Sequence, residues 1–156
     1  MKNAKNKESQ PLLVFVLGLI FGIATNFFFN VLPGLISEFN LISFIDLSAA
    51  TKTGIVIAFS ALVCYPVSLL VSKVGINKAM IASIILSILF GGLIYLTTGV
   101  LSTILIFVFA IVYAGLSVST IPNAFLRLNP AHKVFGLGLF FAAAELPNSI
   151  FEILNV

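Results

Sequence analysis

The chain predicts an all-α fold, a polytopic membrane helix bundle of about five transmembrane helices, and three observations carry that prediction. No charged residue occurs from Ser9 to Ser37, and none occurs across the 48 residues from Ala79 to Leu126. A hydrocarbon core of ~30 Å takes ~20 apolar helical residues to cross, so at ~1.5 Å per residue the second stretch is about two crossings long. Composition agrees: 60% of the 156 residues are hydrophobic and 8% are charged, whereas a soluble domain carries about 25% charged residues. Period-two alternation of the kind that builds a membrane barrel is absent, which leaves helices.

Taken in order, a tail over residues 1–10 carries Lys2, Lys5 and Lys7, and residues 11–156 form the transmembrane helical domain. The first span is expected over 12–36, the second over 53–71 and the third over 79–96. The fourth covers 102–126 and the fifth 134–154. Thr97, Thr98 and Gly99 form a polar, flexible turn that divides the longest apolar stretch between spans three and four. The run from Pro11 to Ile36 exceeds the 7–15 residues of a signal-peptide core and is followed by further spans, so it reads as a span that stays in place.

Charge placement predicts orientation. Lys2, Lys5 and Lys7, then Lys73 and Lys78, then Arg127 and Lys133 fall on one side if the spans alternate. Lys52 is the exception, beside Glu38 and Asp46 in the first loop. The basic side faces the cytoplasm, so the N-terminus lies inside and the protein resides in the cell (inner) membrane. The net charge of +3 is dispersed at the ends of apolar runs and is no nucleic-acid footprint. The single cysteine, Cys64, rules out an internal disulfide and reads as a small packing residue.

Every span carries small or polar residues about four apart, which stacks them on one helical face. These are Gly18, Gly22, Asn26 and Asn30; Ser60, Cys64 and Ser68; Ser83, Ser87, Gly91 and Tyr95; Gly115, Ser119 and Asn123; and Gly138, Ala142 and Glu145. Such faces let helix backbones approach and let polar groups find partners across the interface. Plain helix packing accounts for a stripe by itself, but amides and a carboxylate are costly in lipid. Glu145 sits mid-span, where a carboxylate costs about 2.5–3.5 kcal/mol and is expected to face the bundle interior or an aqueous cavity. Asn148 lies one turn on, with Pro147 between them loosening the local hydrogen bonds. Glu145 is open to several roles: coupling a proton or cation, hydrogen-bonding a substrate, bonding a neighbouring span, or lying near the outer interface. Asn26, Asn30 and Asn123 are candidates to line the same polar pathway. Glu152 reads as an interface residue and His132 as part of the basic loop.

Other chemistries lack their parts. No second His, Cys or carboxylate stands at ligand spacing to His132, so neither a metal nor another cofactor is expected. A serine hydrolase needs a His or Lys base at membrane depth, and an aspartyl protease needs two Asp where only Asp46 is present. An enzyme is not expected.

The turn Ser68-Leu-Leu-Val-Ser72-Lys73-Val74-Gly75-Ile76-Asn77-Lys78 resembles the cytoplasmic signature loop of the major facilitator superfamily. Lys73, Gly75 and Lys78 stand at its basic, glycine and basic positions, whereas Ser68 and Ser72 replace its first glycine and its acid. Ser119-Thr120-Ile121-Pro122-Asn123-Ala124-Phe125-Leu126, Gly136-Leu137-Gly138-Leu139 and Glu145-Leu146-Pro147-Asn148-Ser149-Ile150 are similar to the tenth and eleventh helices of the glycoside and sucrose symporters of that superfamily. The resemblance implies the C-terminal half of a secondary sugar transporter, with a small polar solute as its cargo. A facilitator half has six helices, and two halves rock about a midplane site. Five spans therefore make an incomplete facilitator half, which implies a second membrane chain supplying the missing helices, or a homo-oligomer. The alternative is a small non-transporting membrane protein that serves as a binding or assembly subunit of a larger complex.

Overall fold

A computed structural model describes residues 10–38, 42 and 46–154, so Lys2, Lys5 and Lys7 of the tail lie outside the described residues. Among the described residues the structure is helical, with no strand. α1 spans Pro11–Asn26 and runs through a π-helical turn, Phe27–Val31, into α2, Leu32–Glu38. α3 is Ala49–Val74, α4 Ile76–Leu96 and α5 Gly99–Leu126. A 3-10 turn, Pro130–His132, then leads into α6, Lys133–Leu154. Pro11–Glu38, Ala49–Val74, Ile76–Leu96 and Gly99–Leu126 are each long and apolar enough to cross a membrane, and the chain is a multi-pass membrane protein. α6 has 22 residues but carries Lys133, Glu145, Asn148 and Ser149, and is not among those four.

The helices begin and end where local chemistry stops them. The Ser48 side chain caps α3 by accepting from the Thr51 N–H at 3.2 Å. α3 and α4 are separated by Gly75 alone, whose φ of +96° is a conformation that side chains with a Cβ resist. The expected turn between spans three and four is present: α4 ends at Leu96 and α5 begins at Gly99, with φ +69°.

The π turn is the main departure from the expected first span. The Leu32 N–H donates to the Phe27 carbonyl, five residues back instead of four. Pro33 accounts for it. A proline inside a helix lacks the N–H for the carbonyl four residues earlier, and its ring crowds that carbonyl. Widening the preceding turn moves the Phe29 carbonyl away.

The chain divides into two compact units. One is Ala24–Ser119. In it, an added Cβ at Gly115 would stand 2.8 Å from Ser83 Oγ and 3.6 Å from Val67 Cγ1, so α5 packs closely against α4 and reaches α3. The π turn supplies an aromatic cluster here. Phe28 stacks on Tyr113 with ring centroids 4.3 Å apart and planes 11° apart, and Phe27 meets Phe109 edge-on at 5.0 Å.

The other unit is Met1–Ile23 with Thr120–Val156. α1 and α6 approach until their backbones nearly touch. A Cβ at Gly18 would lie 2.9 Å from the Ala143 Cβ, and one at Gly22 would lie 2.7 Å from the Ala144 Cα. Small residues on both helices make this approach possible. The α6 face that does this packing carries Gly136, Phe140, Ala143, Ala144 and Pro147, all buried.

Candidate functional site

Asn26 closes α1 and is 4% exposed. Asn30 was expected on the same stripe but is exposed. It lies inside the π turn, beside exposed Phe29. Two residues before the π turn, Thr25 Oγ1 and the Tyr113 hydroxyl share a hydrogen bond of 3.2 Å between α1 and α5. Neither residue stood out in the sequence. The triple Phe27-Phe28-Phe29 followed by Pro33 was the available signal for a widened turn.

Asn123 is 1% exposed, and its Oδ1 accepts from Arg127 Nε at 2.9 Å. The guanidinium also donates to Gln10 Oε1 at 3.2 Å, and the Gln10 N–H donates to the Arg127 carbonyl at 3.3 Å. Asn123 thus belongs to a network that ties the end of α5 to the residue preceding α1. Its i, i+4 spacing to Arg127 was readable in the sequence; the closure onto Gln10 was not.

Glu145 and Asn148 are brought together. Asn148 Nδ2 donates to Glu145 Oε2 at 3.1 Å. Their location corrects an expectation, because Glu145 does not face the interior of this chain: it is exposed. The physical reason lies on the opposite side of α6, where Phe140, Ala143, Ala144 and Pro147 take the buried positions. At 100° per residue, Gly138, Ala142, Glu145 and Ser149 fall diametrically opposite them, and all four are exposed. Gly138 has open space where a Cβ would stand. Glu152 lies in α6, and its side chain is outside the described residues.

Lys73, Gly75 and Lys78 are exposed together at the α3–α4 turn. Gly75 takes the positive φ there, its N–H donates to the Val71 carbonyl at 2.9 Å, and its carbonyl accepts from the Ala79 N–H at 3.0 Å. Lys52, expected at a loop edge, is instead 6% exposed in the first turn of α3. His132 and Lys133 are exposed.

Two of the stripe serines, Ser68 and Ser119, bond within their own helices rather than across interfaces as expected. Ser119 Oγ donates to the Gly115 carbonyl at 2.6 Å, and Ser68 Oγ to the Tyr65 carbonyl at 2.7 Å. A short hydroxyl side chain reaches the carbonyl one turn back more easily than a neighbouring helix. Ser87 Oγ, Ser102 Oγ and Thr120 Oγ1 are buried without a hydrogen-bond partner.

A shallow depression beside the end of α5 and the start of α6, with no room for a water, is lined by apolar groups, including Phe125, Leu128 and Phe140, and none of the candidate polar residues reaches it. Among the described residues, no group of three His, Cys, Asp or Glu side chains could hold a metal ion. The polar features thus comprise a carboxylate–amide pair on an outward helix face, a buried amide held by arginine, and an aromatic cluster around a π turn. No family model, curated protein or solved structure matches the chain.

Proposed function

We propose that the chain is a membrane module that works only in a larger assembly, as part of a facilitator-type secondary transporter for a small polar solute such as a sugar. One observation carries the reading: Glu145, bonded to Asn148, occupies the outward face of α6 among exposed Phe141, Leu146 and Ile150. With α6 as the fifth crossing, that carboxylate meets lipid at a cost of about 2.5–3.5 kcal/mol unless another helix or an aqueous path covers it. A solute path formed where α6 meets a further chain gives the pair a polar environment and a role in binding or coupling. Lys73, Gly75 and Lys78 form the cytoplasmic turn, and the basic loops hold that side in the cytoplasm of the cell that carries this membrane.

Uptake of radiolabelled sucrose into membrane vesicles tests this reading, comparing vesicles with the chain, without it, and with Glu145→Gln. The expected result is uptake that requires the chain and falls by at least about tenfold in the variant, as for loss of a group acting in the transport step. Equal uptake in all three removes the transport role.

A non-transporting assembly subunit is the second reading. It is favoured by Asn123, whose side chain is engaged by Arg127. On that reading the α6 face serves only contact, and a stoichiometric partner is retained while uptake is unaffected.

A further inference from the structure

We propose that a monoanionic phospholipid of the phosphatidylglycerol type docks where α5 ends and α6 begins, with its phosphate at Lys133 and an acyl chain along the apolar depression beside it. α5 is long and apolar enough to cross the membrane, so its last turn lies at the boundary between hydrocarbon and water. Two rows form the depression there, with Ile121 and Phe125 on α5 and Leu137 and Phe140 on α6. A Cβ at Gly136 would collide with the Leu128 side chain, so this glycine lets Leu128 close the floor. Lys133 precedes Leu137 by four residues and Phe140 by seven, which puts all three on one face of α6. The lysine therefore stands at the water end of the apolar row, which runs ~10 Å from it along the helix.

Charge selects the occupant. No Asp or Glu occurs from Leu47 to Ala144, and Glu145 lies ~18 Å further along α6 than Lys133. Lys133 is exposed, and among the described residues its ammonium has no hydrogen-bond or ion-pair partner. The lysine stem extends the apolar row while the ammonium stays in the headgroup layer. Val134 and Phe135 follow directly and are 87% and 70% exposed, so apolar surface continues from the lysine into the hydrocarbon. The depression is too shallow to enclose a solute, but an acyl chain lying against it needs no enclosure. A zwitterionic lipid meets the apolar row and brings no net charge to the lysine; a soluble anion meets the lysine alone. An anionic lipid meets both, and basic side chains at the membrane surface attract such lipids.

The chain has no Trp, so Phe125→Trp in the full-length protein places a single fluorophore in the lining of the depression. Leu137→Trp reports from its α6 side and serves if the first variant fails to fold. In vesicles of phosphatidylcholine and phosphatidylglycerol, brominated phosphatidylglycerol should quench this Trp with a binding constant several-fold above that of brominated phosphatidylcholine. Lys133→Gln should bring the ratio close to one, and Lys133→Arg should preserve it. Lys78→Gln, the same loss of charge at the α3–α4 turn, should leave it unchanged. Equal quenching by the two lipids without any lysine substitution overturns the proposal. So does an equal fall in Lys133→Gln and Lys78→Gln, which makes the preference a property of the whole basic surface. Inorganic phosphate, compared with chloride at matched ionic strength, should leave the ratio intact; its loss in phosphate replaces the lipid with a free anion.

Discussion

Of the two glycines in α1, Gly22 has the less room, because the atoms facing it are the backbone carbonyl and Cα of Ala144. Backbone cannot turn aside as a side chain can, so Gly22→Leu should destabilise the protein by about 1–3 kcal/mol or prevent folding, seen as a lower Tm in detergent. Gly92→Ala on exposed α4, where nothing lies within 4 Å, should leave Tm unchanged or slightly raised. Arg127 makes a second residue-level prediction. Its Nε and one terminal nitrogen reach two different acceptors, Asn123 and Gln10. A lysine has one point of charge and cannot span both, so Arg127→Lys should lose about 1 kcal/mol. Combining it with Asn123→Ala should cost less than the two single losses added, because one hydrogen bond is removed twice. Chemical denaturation of the four proteins measures the difference.

At the scale of the element, the π turn sets which face α1–α2 presents. Pro33 is the physical cause assigned to it, and the assignment has a consequence. Pro33→Ala restores an N–H and removes the ring, so the helix should tighten to regular α geometry and turn the residues beyond the bulge by about 100° relative to α1. Asn30→Cys in a Cys64→Ala background should react readily with a maleimide, at a rate that changes several-fold once Pro33→Ala is added. Equal reactivity would mean that the three phenylalanines, packed on Phe109 and Tyr113, hold the bulge without the proline. α6 shows the same lesson differently. Its stripe of small residues reads in the sequence like the other four, yet the opposite face packs inside. A helix with alanines and glycines on both sides offers two candidate contact faces, and periodicity does not choose between them. Phe140 and its neighbours made the choice by fitting the glycines of α1.

For the whole molecule, orientation is the prediction with most consequence. With the basic turn inside, Ser72→Cys in the Cys64→Ala background should be labelled by a membrane-impermeant reagent only after the membrane is opened, because it adjoins the turn that carries Lys73 and Lys78. Labelling of intact cells would reverse the topology and remove the proposed cytoplasmic turn. Much of this scale was legible beforehand. The uncharged stretches, the Thr97–Gly99 turn and Gly75 marked the helices and their ends, since lipid admits only backbones that satisfy their own hydrogen bonds. Less of the candidate site was legible. Asn26, Asn123, Glu145 and Asn148 were marked as costly in lipid, but cost does not say where a partner stands. Thr25 with Tyr113 and Gln10 with Arg127 are pairs separated by 88 and 117 positions, and such contacts leave no local pattern to read.

Sequence by itself determined the solvent and the helical class, because both follow from the transfer of individual residues between water and hydrocarbon. Tertiary structure alone decided that Asn30 is exposed, that Asn123 answers to Arg127, and that Glu145 looks outward. Those outcomes depend on which surfaces fit together, and fit is a property of two helices at once.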